Sequence, residues 1–232
     1  MKILTLPGVF EPRSDTWMLA TALTEAMPRR ARVLDVCTGS GAIAVVAARH
    51  GAREVVAVDV SRRAVLTARL NARRNGVRVD ARRGDLLAPV AGEQFDLIVS
   101  NPPYVPAAAD ALPRRGQRRG WDAGRDGRVL LDKLCAKAPA HLVPGGIFLV
   151  VHSEVCGTDA TVRQLTAAGL DTEVVHRHRG PLGPLLRERR DMLVQRGLLR
   201  AGAQDEEVVV VRAQRPRVDA RRDERLLHRV PA

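Results

Sequence analysis

Apolar positions along this chain follow two rhythms. "RVLDVC" (32–37), "EVVAVDV" (54–60), "QFDLIVSN" (94–101), "GGIFLVVHS" (145–153) and "EEVVVVRAQ" (206–214) are short and nearly continuous, as expected of strands covered on both faces. Between them lie segments of helical period: 41–51 closed by Gly51, 61–76 with Ser61 as N-cap and Gly76 as stop, 126–142, and 158–169. Weaker strands are expected near 77–85 and at 171–179. This alternation predicts βαβ units and one doubly wound α/β domain with a mostly parallel sheet, its last strand antiparallel.

The same pattern suggests the chain's organisation. Residues 1–30 read as an N-terminal extension whose "DTWMLATALTEAM" is amphipathic enough to pack on the sheet. Residues 31–214 form the domain, and 215–232 read as a charged tail. The stretch 179–203, rich in Pro, Leu and Arg, interrupts the rhythm and is expected to be partly helical.

Composition narrows the partners only slightly. No run approaches the length of a membrane span, the start of the chain lacks the pattern of a signal peptide, and Cys37, Cys135 and Cys156 form no metal or disulfide spacing. Reduced thiols and the cytoplasm are the expectation, with no membrane partner. Cys37 is expected in the core. The net charge of +12 is almost all arginine, since Lys2, Lys133 and Lys137 are the only lysines. In a chain this rich in Ala, Val and Gly, that bias matches GC-rich coding and solvated faces, and leaves a polyanionic partner as the lesser reading. The histidines form no metal-spaced set, and His176 and His178 alternate as neighbours on one face of a strand.

Two stretches carry chemistry. In "DVCTGSGAIAV", Gly39 and Gly41 permit a tight turn from strand into helix, where backbone N–H groups face a ligand. Asp59 ends the next strand about 20 residues on, where a ribose-binding carboxylate belongs. Gly39-x-Gly41-x-x-Ala44 also fits a dinucleotide fingerprint. Asp35, however, would repel a pyrophosphate and welcome an ammonium, and Asp85 is placed to meet an adenine amino group. The second stretch is "SNPPYV", where Asn101, Pro102 and Tyr104 end a buried strand. An amide oxygen and a proline carbonyl are two acceptors, which suit a planar NH₂ group, and Tyr104 would wall its pocket. A dinucleotide oxidoreductase leaves this stretch unexplained.

Together these residues resemble class I S-adenosylmethionine-dependent methyltransferases. They are most similar to the HemK-type enzymes that methylate the GGQ glutamine of translation release factors, in the short eukaryotic and archaeal (Mtq-type) branch. "VFEPRSDTWMLATAL", "GWDAGRDGRVLLDKL" and "LVPGGIFLVV" extend the likeness over roughly 8–178, with Ser14 standing where the family has an acidic residue. The resemblance implies a Rossmann-like seven-stranded sheet. It also implies S-adenosyl-L-methionine lined by Thr16, Asp35, Thr38, Gly39, Gly41, Asp59, Asp85, Leu86 and Asn101, and a target amide gripped by Asn101, Pro102 and Tyr104. The loop Gly120–Gly127 would lie over the substrate side, with Trp121 either a substrate-loop aromatic or a packed anchor. A class 1 release factor is the implied substrate, and an activator subunit accompanies eukaryotic members. Nucleic-acid amino groups, small molecules or peptides stay open as other acceptors, as does a non-catalytic cofactor-binding subunit. The stretch 179–203 has no counterpart in eukaryotic members and is left as a lid or partner surface.

Overall fold

The computed structural model describes residues 1–114 and 116–217, so most of the stretch expected as a tail lies outside the described residues. In chain order the elements are α1 (Ser14–Ala26), β1 (Arg32–Val36), α2 (Ala42–Arg49), β2 (Glu54–Asp59), α3 (Arg62–Arg74), β3 (Asp80–Arg83) and β4 (Phe95–Ser100). They continue as α4 (Val129–Lys137), β5 (Leu142–Ser153), α5 (Thr158–Ala167), β6 (Asp171–Pro181), α6 (Pro184–Glu188), α7 (Arg190–Gln195) and β7 (Asp205–Gln214). One seven-stranded sheet runs in the order β3-β2-β1-β4-β5-β7-β6. The first five strands pair in parallel, while β7 is antiparallel to both β5 and β6.

The continuous apolar runs arise because both faces of the sheet are covered. Along β4, Leu97 and Val99 face one cluster, while Ile98 faces the other; along β5, Ile147, Leu149 and Val151 alternate with Phe148 and Val150 in the same way. The first cluster is roofed by α1, α2 and α3 through Leu19, Leu23, Ile43, Ala47, Val65 and Ala68. The second is roofed by α4, α5 and the short helices after β6 through Leu131, Leu134, Leu165, Leu186 and Leu193. Ser61 caps α3, its hydroxyl accepting from the Ala64 N–H at 3.4 Å.

Strand order reverses between β1 and β4, which have helices on opposite faces. A crevice opens outside their C-terminal ends, where ligands bind in open α/β sheets. Both "DVCTGSG" and "NPPY" leave the sheet at that edge.

Candidate functional site

A cavity of about 630 Å³ fills this crevice. Its wall includes Thr16, Asp35, Thr38, Gly39, Asp59, Asp85, Leu86, Asn101, Pro102 and Tyr104, so all but one of the expected residues converge. Gly41 is the exception and is not among the residues of the wall. Its φ is +79°, and a Cβ there would lie 2.7 Å from both Cα and Cβ of Ala68. Its missing side chain lets α2 close on α3; its neighbours Ser40 and Ala42 line the cavity.

Strained turns shape one side. Cys37 packs against the core as expected but lies just past the strand: β1 ends at Val36, and Cys37 turns the chain with φ +61° while lining the cavity. Burial pushes its thiol well above the usual range. Leu86, beside Asp85, also has positive φ, at +46°. Left-handed non-glycine residues of this kind concentrate at functional sites.

The carboxylates differ in environment. Asp35 is buried; its Oδ2 accepts from the Thr38 hydroxyl at 2.5 Å and the Ala44 N–H at 3.1 Å, and Oδ1 has no hydrogen-bond partner among the described residues. Burial raises this carboxyl to about 7, against the two hydrogen bonds. Asp59 accepts from the Gly39 N–H at 3.0 Å and the Ser61 N–H at 2.8 Å, and burial raises it as well. A carboxylate has about four acceptor sites, so two hydroxyl partners can still be accommodated. Asp85 is exposed at the rim.

Opposite them lies a clamp that the sequence reading only half found. Asn101 donates its Nδ2 hydrogens to Asp15 Oδ2 and Thr16 Oγ1, each at 3.2 Å. The Tyr104 hydroxyl donates to the same Asp15 oxygen at 2.8 Å. Thr16 in turn donates its hydroxyl to Asp15 Oδ1 at 3.2 Å. A carboxylate only accepts, so Asp15 forces the Asn101 NH₂ toward itself and turns Oδ1 the other way. Burial, and next the Asp15 charge, hold the Tyr104 phenol protonated well above its usual range, which makes it a donor and not a base. Thr16 thus joins the clamp as well as lining the cavity. Asp15 is the residue the sequence reading missed, although it stands beside Thr16 in the same quoted stretch.

The loop after Asn101 is fastened from several sides. Val105 and Trp121 pair through Val105 N–H to Trp121 O at 2.8 Å, and the Ala123 N–H returns to Val105 O at 3.1 Å. Trp121 packs on the core and also lines the cavity. The stretch expected as an insertion reaches the same loop. Arg189 donates to Pro106 O at 2.8 Å and pairs with Asp122 at 2.7 Å; Arg196 donates to Ala107 O at 2.7 Å and Arg125 O at 2.8 Å. Pro184, Leu185 and Leu186 form part of the cavity wall. His178 lines the cavity, while His176 meets Glu25 of α1 at 2.8 Å, consistent with one shared face.

Comparison with known proteins agrees with this architecture. The family model "Methyltransferase small domain" matches residues 1–113. A Methanocaldococcus jannaschii protein that carries the name protein N5-glutamine methyltransferase is 32% identical over 186 residues, 80% of this chain and 93% of its own length. The chain belongs to the protein N5-glutamine methyltransferase family. It is an S-adenosylmethionine-dependent methyltransferase. The release factor glutamine methyltransferase of Mycobacterium tuberculosis is 37% identical over 181 residues, covering 72% of this chain but only 59% of that enzyme. In fold, the chain is similar to the E. cuniculi Mtq2–Trm112 complex responsible for methylation of the eRF1 translation termination factor. That match has a TM-score of 0.63 and 22% identity, over 90% of this chain and 99% of that one. Among the described residues no helix is long and apolar enough to cross a membrane, and no His, Cys, Asp or Glu cluster could hold a metal.

The cavity fits the family's cofactor. Asp35 offers an unused carboxylate oxygen to a cation, Asp59 keeps two acceptor sites for hydroxyls, and Asp85 waits at the rim. A pH dependence follows. Because the Asp35 carboxyl stands near 7, it is largely neutral below that pH, and a cationic ligand must shift it to the ionised form. Affinity for S-adenosylmethionine should therefore rise with pH by up to about tenfold per unit below 7 and flatten above it. Calorimetric titration from acid to mildly alkaline pH checks this; Asp35→Asn should bind more weakly and lose the slope.

Proposed function

We propose that this methyltransferase modifies the side-chain amide nitrogen of a glutamine in a class 1 translation release factor. The observation that carries the reading is the orientation of Asn101, whose NH₂ is engaged by Asp15 and Thr16 so that Oδ1 is left for a donor in the cavity. In this reading Asp35, Thr38, Gly39, Asp59, Asp85 and Leu86 hold S-adenosylmethionine. When bound, this cofactor supplies an electrophilic sulfonium methyl group, open to in-line displacement by a nitrogen lone pair.

The protein's contribution is positioning and electrostatics. An amide nitrogen is a poor nucleophile because its lone pair is delocalised. Asn101 Oδ1 and the Pro102 carbonyl accept its two hydrogens, raising electron density on nitrogen and fixing the direction of the lone pair. Tyr104, held through its hydroxyl, walls the planar group. None of these residues needs to act as a base before transfer, since the surplus proton can leave afterwards. The loop Gly120–Gly127 and the stretch 179–203 line the side by which a protein segment would enter. The match covers 59% of the tuberculosis enzyme's length, so a release-factor substrate is part of this proposal. A release-factor substrate puts the work in the cytoplasm. The solved Mtq2 neighbour is a complex with Trm112, and a second subunit remains part of this proposal.

The test is transfer of labelled methyl groups to the organism's release factors, by the purified chain alone and supplemented with a cell extract. Label should enter the factor and disappear when the GGQ glutamine is changed to alanine. Label that persists in that mutant factor, or never enters the factor while the chain binds its cofactor, would overturn the substrate assignment. Label appearing only with extract would point to the activator.

A further inference from the structure

Adjoining the methyl-transfer cavity is a second cleft of about 680 Å³ whose wall carries Arg62, Arg63, Arg83, Arg114 and Arg119, the last of these and Arg114 shared with the cavity. The five arginines come from the start of α3, the end of β3 and the loop before Trp121, and no acidic residue lines the cleft. We propose that this cleft binds the phosphate backbone of a nucleic-acid strand, in addition to methyl transfer and independently of which acceptor is methylated.

Pairing distinguishes these arginines from many others in the chain. Arg32 meets Glu54 and Glu93, Arg82 meets Asp80 and Glu93, Arg128 meets Asp132, and Arg212 meets Glu173. Among the described residues, none of the five in the cleft pairs with a carboxylate. The contrast is sharpest on β3, where Arg82 is neutralised twice and its neighbour Arg83 instead donates to the Val60 carbonyl at 3.4 Å. Arg63 similarly donates to Pro7 O at 3.2 Å and Arg119 to Arg114 O at 3.2 Å. Backbone carbonyls orient guanidinium groups without cancelling their charge. The N-terminus of α3, which begins at Arg62, adds its positive end to the same cleft.

The dimensions and chemistry of the wall favour a chain of phosphates. Five guanidinium groups spread around a cleft of this size exceed what one phosphate can engage, and Arg suits phosphate geometry. No aromatic residue lines the cleft, so bases have nothing to stack on and recognition would be of the backbone, with little sequence preference. An acidic protein segment is the weaker match, because protein interfaces rest on apolar and aromatic anchors and this wall offers only Pro7 and Val60. The cleft is continuous with the methyl-transfer cavity, since Gly8, Val60, Ser61, Arg114, Gly116 and Arg119 line both, whereas Asn101 and Tyr104 line only the cavity.

Fluorescence anisotropy with a short single-stranded RNA, measured against salt, tests the proposal on the full chain. The parent should bind at low salt and weaken linearly in a log–log plot. A triple variant, Arg62→Gln with Arg63→Gln and Arg83→Gln, removes three exposed guanidiniums and should reduce that salt slope by about 2. Its affinity at low salt should fall at least tenfold. A second triple variant, Arg73→Gln with Arg74→Gln and Arg78→Gln, removes the same charge at and just beyond the far end of α3 and should stay close to the parent. Equal losses in the two variants would reduce the effect to net charge and overturn the proposal. So would no binding by the parent, or displacement of the RNA by polyglutamate at matched charge. RNA binding can fail while release factors are still methylated, and the reverse, so the two readings fall separately.

Discussion

Replacing Asn101 with alanine should lower methyl transfer by about 10²–10³-fold, the usual loss when one preorganised polar group facing the reacting atoms is removed. Cofactor affinity should change little, because the carboxylates of the cofactor side are untouched. Asp15→Asn is the sharper version of the same test. Asp15 lines the same cavity and receives hydrogen bonds from Asn101 and Tyr104, so it acts on the acceptor clamp through positioning. An asparagine there can present either an oxygen or an NH₂, and Asn101 is then free to flip its amide. Losing hydrogen bonds to a charged group, worth about 1.5–3 kcal/mol, corresponds to a fall of about 10–150-fold. The fall should lie in kcat, with cofactor binding near the parent. Tyr104→Phe, which removes one of the two donors to Asp15 Oδ2, should give a smaller loss of the same kind. If Asn101→Ala keeps a tenth or more of kcat, the clamp is not the source of rate. If Asp15→Asn is silent, the orientation of Asn101 is set by something else.

The fold was legible because its strands are covered on both faces, which writes them as continuous apolar runs at the expected spacing. What such runs do not encode is lateral order. The final strand, β7, inserts between β5 and β6, a choice made by pairing across the whole sheet. The convergence of Asp35, Asp59 and Asn101 on one crevice was also readable, from their positions at or near the ends of apolar runs. Asp15 was not, because its meaning lies in a contact 86 residues away. Locally it is only an acidic residue in the first turn of a helix, where the helix dipole already accounts for it. Arg128 was hidden in the same way. In sequence it is one more charge before a helix, but in the fold it is buried and donates to the carbonyls of Cys156 at 2.5 Å and Gly157 at 3.1 Å. The stretch 179–203 had no readable role because Arg196 and, in part, Arg189 act on backbone carbonyls, which leave no trace in the sequence of their partners, and the Arg189–Asp122 pair spans 67 residues.

Gly127→Ala should damage both stability and transfer. Gly127 adopts φ +78°, and a Cβ there would lie 2.3 Å from the Tyr104 carbonyl oxygen and 2.8 Å from Cys156 Sγ. The Tyr104 carbonyl cannot retreat easily, since the Cys156 thiol donates to it at 2.9 Å and Arg128 fixes the Cys156 carbonyl behind. The left-handed conformation costs an alanine about 1–2 kcal/mol, and relieving the overlap costs about 1–3 kcal/mol more. For a chain of this size that total lowers the unfolding midpoint by about 4–20 °C. The displacement falls on the segment that carries Asn101 and Tyr104, so kcat should drop at least tenfold, by analogy with other small misplacements of reacting groups. Cofactor affinity should hold, because the turn at Gly39 is separate. Gly197→Ala separates the two causes. Gly197 has φ +69° with nothing within 4 Å of its added Cβ, so it carries the conformational cost alone and should leave transfer intact. If Gly127→Ala matches Gly197→Ala in both midpoint and kcat, the clamp does not depend on close packing against Gly127. A selective loss of kcat in Gly127→Ala would tie methyl transfer to the backbone position of Tyr104.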